Sequence, residues 1–296
     1  MPISTTLVGE SLGRCDTLVT ARRMLAYAAA VGELAPQCFD DLHPDFMAPP
    51  ALCVAIEWPL LIAPQNLARI TADAGEAARV IHVIQDSHFH RPVRSGDRLT
   101  TEGVIHAVWR SKVGASVASE LRTVDADARP VVTSWLESVY RGVEVAGADR
   151  PPARPAVVPV DERTEHTLVV NVPTDPAMAH VYSECSGIWN PIHTERRVAR
   201  ALGLPDRILH GTASWALAGR EIVRLVGGAD SRRLRRLRGR FAAMAVAGAP
   251  LELRLSVSRQ VGQQQVSFSL LDPDGRSVIA DGLAVLDEPP TARNPA

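Results

Sequence analysis

Residues 155 positions apart repeat each other in this chain, and that repeat limits the fold more than any single motif does. In Tyr27-Ala-Ala-Ala-Val-Gly32-Glu33-Leu-Ala-Pro36-Gln-Cys38, the Tyr, Gly and Pro match those of Tyr182-Ser-Glu-Cys-Ser-Gly187-Ile188-Trp-Asn-Pro191-Ile-His193. Further along, Pro44-Asp45 matches Pro205-Asp206 at a spacing of 161, so the second half gains its extra residues in one connection, as a loop insertion should. Two self-similar halves imply two copies of one supersecondary unit.

The length of 296 residues accommodates two such units at ~150 residues each. Between Glu144 and Glu165 the chain carries four prolines, no aromatic residue and no periodic apolar pattern. We therefore expect a first unit at 1–145, a Pro-rich linker at 146–164, a second unit at 165–290 and a flexible tail at 291–296.

Each half presents the same order of elements. A helical stretch (20–31; 175–186) leads into a loop, then a second helix rich in small residues (51–62; 212–226), then only strands. The strand candidates are 80–89, 98–109, 115–124 and 131–143, then 237–246, 251–260, 265–271 and 278–286, with Asp272-Pro-Asp-Gly275 as a hairpin turn. A run of antiparallel strands after one apolar helix predicts an α+β unit, a sheet wrapped around that helix. Two units should pair their sheets edge to edge across a pseudo-twofold.

A chain with 46% hydrophobic residues and a formal net charge of -1 buries a core and has no global field to draw nucleic acid or an acidic membrane. Cys15, Cys38, Cys53 and Cys185 form neither a CxxC pair nor a dense framework, so a disulfide scaffold and a zinc ribbon are both unsupported and a reducing, cytoplasmic setting fits. No signal peptide or membrane span is expected.

The segment Ser186-Gly187-Ile188-Trp189-Asn190-Pro191-Ile192-His193-Thr194-Glu195, followed by Ile208-Leu209-His210-Gly211, resembles the hydratase motif of the MaoC-like, (R)-specific enoyl-CoA hydratases. Gln85 to Leu99 resembles the N-terminal half of the same family. The resemblance implies two linked hotdog folds with the first degenerate, an acyl-thioester substrate carried on coenzyme A or acyl carrier protein, and no cofactor. Net charge, the lack of a third ligand near His88 and His90 and the absence of a long apolar run lead us to expect no metal, nucleic-acid or membrane partner, and homo-oligomers stay open.

Water addition to a 2-enoyl thioester needs a base for the water, an acid for C2 and donors for the enolate oxygen. His193 suits the first task because imidazole titrates near neutrality. Asn190 either orients the water or imidazole or caps the following turn. The backbone N–H of Gly211 or Thr212 at a helix start would hold the oxyanion, with Ile188, Trp189 and His210 as further substrate contacts. The family pattern places an aspartate five residues before the histidine, and here that residue is Ile188. Glu184, one helical turn earlier, is the leading replacement, ahead of Glu195 and of Glu33, which holds the Ile188 position in the first half while Cys38 holds that of His193.

Two further features have competing readings. His88 and His90 share one strand face and supply half of a metal site or simply line an interface. The six arginines between Arg232 and Arg240 either receive coenzyme A phosphates or an acidic carrier helix, or form a solvated edge. Trp189 and Trp215 are expected as core or pocket wall. The reading is thus a hydratase or dehydratase of 2-enoyl/3-hydroxyacyl thioesters. Its alternatives are a hydratase-derived lyase or cyclase and a non-catalytic acyl-binding subunit.

Overall fold

The computed structural model describes residues 1–70, 80–156 and 166–288. Part of the expected linker and all of the expected tail lie outside these residues. A short strand β1 (Ile3–Ser4) precedes β2 (Ser11–Leu18), α1 (Ala21–Ala30), α2 (Pro36–Phe39), α3 (Cys53–Leu61), α4 (Pro64–Ile70), β3 (Val80–Phe89), β4 (Arg98–Ser111), β5 (Gly114–Val124) and β6 (Pro130–Arg141). After β7 (Val145–Ala146), the second half runs β8 (His166–Val172), α5 (Met178–Ser186), α6 (Pro191–Thr194), α7 (Arg196–Ala201), α8 (Gly211–Leu225), β9 (Leu234–Phe241), β10 (Leu251–Gln260), β11 (Gln263–Leu271) and β12 (Ser277–Asp287).

Ten strands form one sheet in the order β2-β4-β5-β6-β3-β9-β12-β11-β10-β8. Read inward from either edge, the order is the same: first strand of the half, third, fourth, fifth, second. The halves therefore join as a double hotdog, β3 pairing antiparallel with β9 from Ile84↔Arg240 to His88↔Arg236. Tyr27 and Tyr182 lie on the corresponding helices α1 and α5 and meet at the pseudo-twofold, rings 5.8 Å apart. Pro36 and Pro191 each open the short helix that follows.

Small residues let the central helix sit close on its sheet. A Cβ on Gly219 would lie 2.6 Å from Leu237, and one on Gly239 would lie 3.2 Å from buried Trp215. The α8 helix accordingly buries Ala213, Ser214, Ala216, Leu217, Ala218 and Ile222. In the first half the corresponding helix α3 contains Pro59 and ends sooner, because proline removes a backbone donor and crowds the preceding turn. The segments 50–61 and 64–70 meet at a bend of 74°; no single helix among the described residues is long and apolar enough to cross a membrane.

The arginine run differs from both expectations for it. Most of it is β9, in the middle of the ten-stranded sheet, and its cations are spent within the chain. Arg236 donates two hydrogen bonds to Asp86 across the seam, at 2.8 and 2.6 Å, and a third to the carbonyl of Ala156. Arg232 pairs with Asp230 and Asp45, Arg235 with Asp287, and Arg240 with Asp281. Arg233 donates to Gln264, and Arg238 to the carbonyl of Asp281. The strand expected at 237–246 thus starts at Leu234 and stops at Phe241.

A second duplicated feature lies in the β5–β6 and β11–β12 turns. Asp125 accepts from the N–H of Asp127 and Arg129 and from the Arg129 guanidinium; Asp272 accepts from the equivalent groups of Asp274 and Arg276. Both turns place their fourth residue in the left-handed region, Ala128 at φ 59° and Gly275 at φ 77°.

Candidate active site

Three short elements of the second half converge on His193. Helix α5 ends at Gly187, whose φ of 72° reverses the chain at a position favouring glycine. Asn190 then caps α6, its Oδ1 accepting from the N–H of Ile192 at 3.2 Å, with Pro191 preset as the first helical residue. That geometry turns the His193 ring toward the start of α8.

His193 Nδ1 lies 2.9 Å from the carbonyl oxygen of Ile208. A carbonyl only accepts, so Nδ1 carries the proton and Nε2 keeps its lone pair. Burial pushes the imidazole down to about 4, partly offset by the Ile208 bond, so it is neutral at pH 7 and able to accept a proton. Its ring stacks on that of His210, centroids 3.6 Å apart and planes 25° from parallel. His210 is itself pushed down to about 2 by burial, and next by the neighbouring His193, leaving both rings uncharged.

The start of α8 adjoins this pair of rings, since His210 is its N-cap residue. No side chain caps it, and the first-turn N–H groups of a helix have no partner within the helix. Gly211 packs flat against Phe241, whose ring would lie 3.1 Å from an added Cβ. Thr212 is buried, and its hydroxyl accepts from Tyr182 at 3.0 Å.

The expected site residues divide into those beside His193 and those turned away. Asn190, His210 and Gly211 gather around it. Ile188 is only 5% exposed and belongs to the main apolar cluster, so its side chain packs into the core and does not line the mouth; its carbonyl faces His210 Nε2 at 3.0 Å. Glu184 is exposed, and no hydrogen bond or ion pair joins it to His193 among the described residues. Glu195 is likewise exposed. Trp189, 56% exposed, stands at the surface two residues before the motif proline, whereas Trp215 is wholly buried. His88 lies 3.7 Å from Asp86 and His90 bonds Thr133, and no metal-binding cluster is present among the described residues.

The same position in the first half is chemically silent. Cys38 replaces His193; it is fully buried, and burial drives its thiol up to about 12. Glu33 is raised by burial and accepts the N–H of Ala35, as a cap would. Arg220, reaching from α8, donates to the carbonyls of Val31 and Gly32 and lines a small cavity there with Glu33, Pro49 and Pro50. Pro49 and Pro50 stand where His210 and Gly211 stand, and proline has no N–H to offer an oxyanion. Sequence reasoning caught Glu33 and Cys38 but missed the prolines, although the spacing of 161 aligns them.

Comparison with known proteins finds matches over both halves. Residues 159–270 match the MaoC like domain, and residues 6–134 match the FAS1-like, dehydratase domain region. A probable dehydratase of Ajellomyces capsulatus is 26% identical over 52% of this chain and 43% of its own length. A probable enoyl-CoA hydratase 2 of Dictyostelium discoideum is 23% identical over 63% of each chain. The chain thus spans less than two thirds of the length of these curated relatives. The crystal structure of a MaoC-like dehydratase from Phytophthora capsici superposes with a TM-score of 0.79 at 22% identity, covering 97% of this chain and 98% of that one.

Proposed function

Because the chain belongs to the MaoC-like dehydratase family, we propose that it adds water to 2-enoyl thioesters, or removes it from 3-hydroxyacyl thioesters, carried on coenzyme A or acyl carrier protein. One observation carries this reading: the Ile208 carbonyl fixes the His193 tautomer so that Nε2 is a free acceptor beside the amides of α8. In the hydration direction Nε2 takes a proton from water as the water oxygen bonds C3. The C2–C3 π electrons shift toward the thioester carbonyl, whose oxygen is held by the N–H groups of Gly211 and Thr212. His193 then returns the proton to C2 and the carbonyl reforms. One residue both takes and gives the proton, so hydrogen and hydroxyl arrive on the same face; dehydration runs the steps backward.

Asn190 uses its Oδ1 as a cap, which leaves its amide N–H groups to hold water. Among the described residues no carboxylate takes the place of the family's aspartate beside His193, which favours slow hydration of simple substrates. The four cysteines are free, in keeping with a reducing cytoplasm.

The test is turnover of a short 2-enoyl-CoA and of both 3-hydroxyacyl-CoA enantiomers by wild type and Ile188→Asp side by side. A hydratase that merely lacks its acid gains activity in the variant, the new carboxylate leaving the apolar cluster that holds Ile188 and turning toward His193. A changed reaction, such as elimination or cyclisation on another thioester, gives no wild-type hydration and loses its native turnover when a charge is buried there. No turnover in either protein, on these substrates or on other acyl thioesters, would sink the enzyme reading in favour of acyl binding alone.

A further inference from the structure

We propose that His210 is a positioning residue for His193: a neutral, doubly anchored plate that fixes the base in plane and stays uncharged while the base takes up a proton. The inference rests on reading His193 as the base. The His210 ring is only 2% exposed.

Two oxygens face His210 Nε2, the carbonyl of Ile188 at 3.0 Å and Ser183 Oγ at 3.2 Å. The Ser183 hydroxyl donates its own hydrogen to the carbonyl of Ala179 at 2.9 Å, so its oxygen presents a lone pair to His210. Both partners are therefore acceptors, and Nε2 must carry the hydrogen. The other nitrogen, Nδ1, is left as a buried acceptor with no partner. Protonating it would bury a second positive charge against His193, so the ring is held neutral by its setting.

The anchors tie His210 to α5 through Ser183 and to the α5–α6 turn through Ile188, the two pieces of chain that aim His193. The stack then confines the His193 ring from one face while the Ile208 bond confines it in plane. When Nε2 accepts a proton, the resulting cation lies against a neutral π face within the ~6 Å over which such contact is attractive, an attraction smaller than the desolvation that the covering ring imposes on the imidazole. The backbone of Ile188 thereby does work that its side chain does not, which explains how the motif keeps its shape without the aspartate. Ordinary core packing would account for the burial of His210. It does not account for a stacked partner at 3.6 Å or for the orphan nitrogen.

Two substitutions separate plate from anchor. His210→Gln keeps a donor and removes the ring; His210→Phe keeps the ring and removes the donor. Each is assayed for kcat and KM on a short 2-enoyl-CoA, and the His193 imidazole is titrated by NMR. For His210→Gln we expect kcat to fall ~10-fold or more with KM held, and the His193 midpoint to rise by ~1 unit as its face is uncovered. His210→Phe should restore the midpoint and only part of kcat. Any other pattern in a folded variant, including a rise in KM alone, overturns the proposal. If neither variant folds, the wild type decides: the stack must shift the His193 ring protons upfield, and their absence from the shielded range refutes it. Should His193→Ala keep full turnover, the base reading fails while the NMR result still judges the stack.

Discussion

The two halves share a fold down to the capping of individual turns, yet only one has the groups for chemistry. At the His193 position the first half has a buried thiol, at His210-Gly211 it has Pro49-Pro50, and at the mouth it has the Arg220 side chain. The difference is therefore twofold: no histidine base, and a proline where Gly211 offers its amide. What survives in both halves is whatever builds the sheet and its pseudo-twofold, namely the paired tyrosines, the prolines that open α2 and α6, and the Asp-Arg turns. Duplication kept the scaffold twice and the site once.

The comparison breaks most visibly at the base. His193→Ala should lower turnover by ~10²–10⁴ while leaving the fold intact, because a partly buried short-helix residue carries little packing. Cys38→Ala, the same change in the silent half, should leave turnover within ~2-fold. Steady-state kinetics on both variants check this, and equal losses would dissolve the distinction between the halves.

Next comes the seam that both halves share. Asp86→Ala strands Arg236 in the sheet interior and should cost about 3–5 kcal/mol, read as the shift in a urea midpoint at unchanged m. A loss below ~1 kcal/mol would mean that the sheets hold together without this pair.

A smaller effect separates the two central helices. Glu57 on α3 is buried among apolar groups and accepts only from Ser134, at 2.6 Å, where α8 has Ala218. Burial, outweighing the Ser134 bond, raises Glu57 to about 8. Its folded value lies above the unfolded ~4.3, so the unfolded chain binds fewer protons and stability falls as pH climbs between them. The contribution is complete below the unfolded value and gone once pH passes about 8. Glu57→Gln should flatten stability across that window, and denaturation at both ends measures it; an unchanged slope would place the pH dependence elsewhere.

The smallest effect should come with opposite signs. Ala128 and Gly275 hold the same left-handed turn position, at a cost to alanine of ~1 kcal/mol. Ala128→Gly should raise the melting temperature and Gly275→Ala lower it by a similar amount. Matching signs would show that the turns are not equivalent.

Much of this was legible because duplication doubles the signal. The repeat placed α1 with α5 and α3 with α8, though α2 and α6 stand where a loop was expected, and strands Val80–Phe89 and Leu251–Gln260 fall at the expected bounds, the second on a clear apolar alternation. Strands β2 and β8 escaped notice because they are sheet edges with weakly patterned, largely exposed residues, as in Ser11-Leu-Gly-Arg-Cys-Asp-Thr-Leu18. The arginines misled for a related reason: alternate charges read as a solvated edge, and only the fold shows carboxylates opposite them. In the site, His193 and Gly211 carry local signatures. The sealing of Ile188 and the stacking of His210 arise from chain brought together over the α8 start, which spacing does not encode.

The central claim is that one unassisted histidine in the second half does the acid–base work. The pH dependence of kcat/KM tests it most directly, since it reports ionisations of the free enzyme. We predict that log kcat/KM for wild type rises with unit slope through about 4, the value to which burial brings His193, then stays level to neutrality. The same limb should vanish in His193→Ala. A slope of two would reveal a second group that must lose its proton, and a limb that persists without His193 would contradict the account outright.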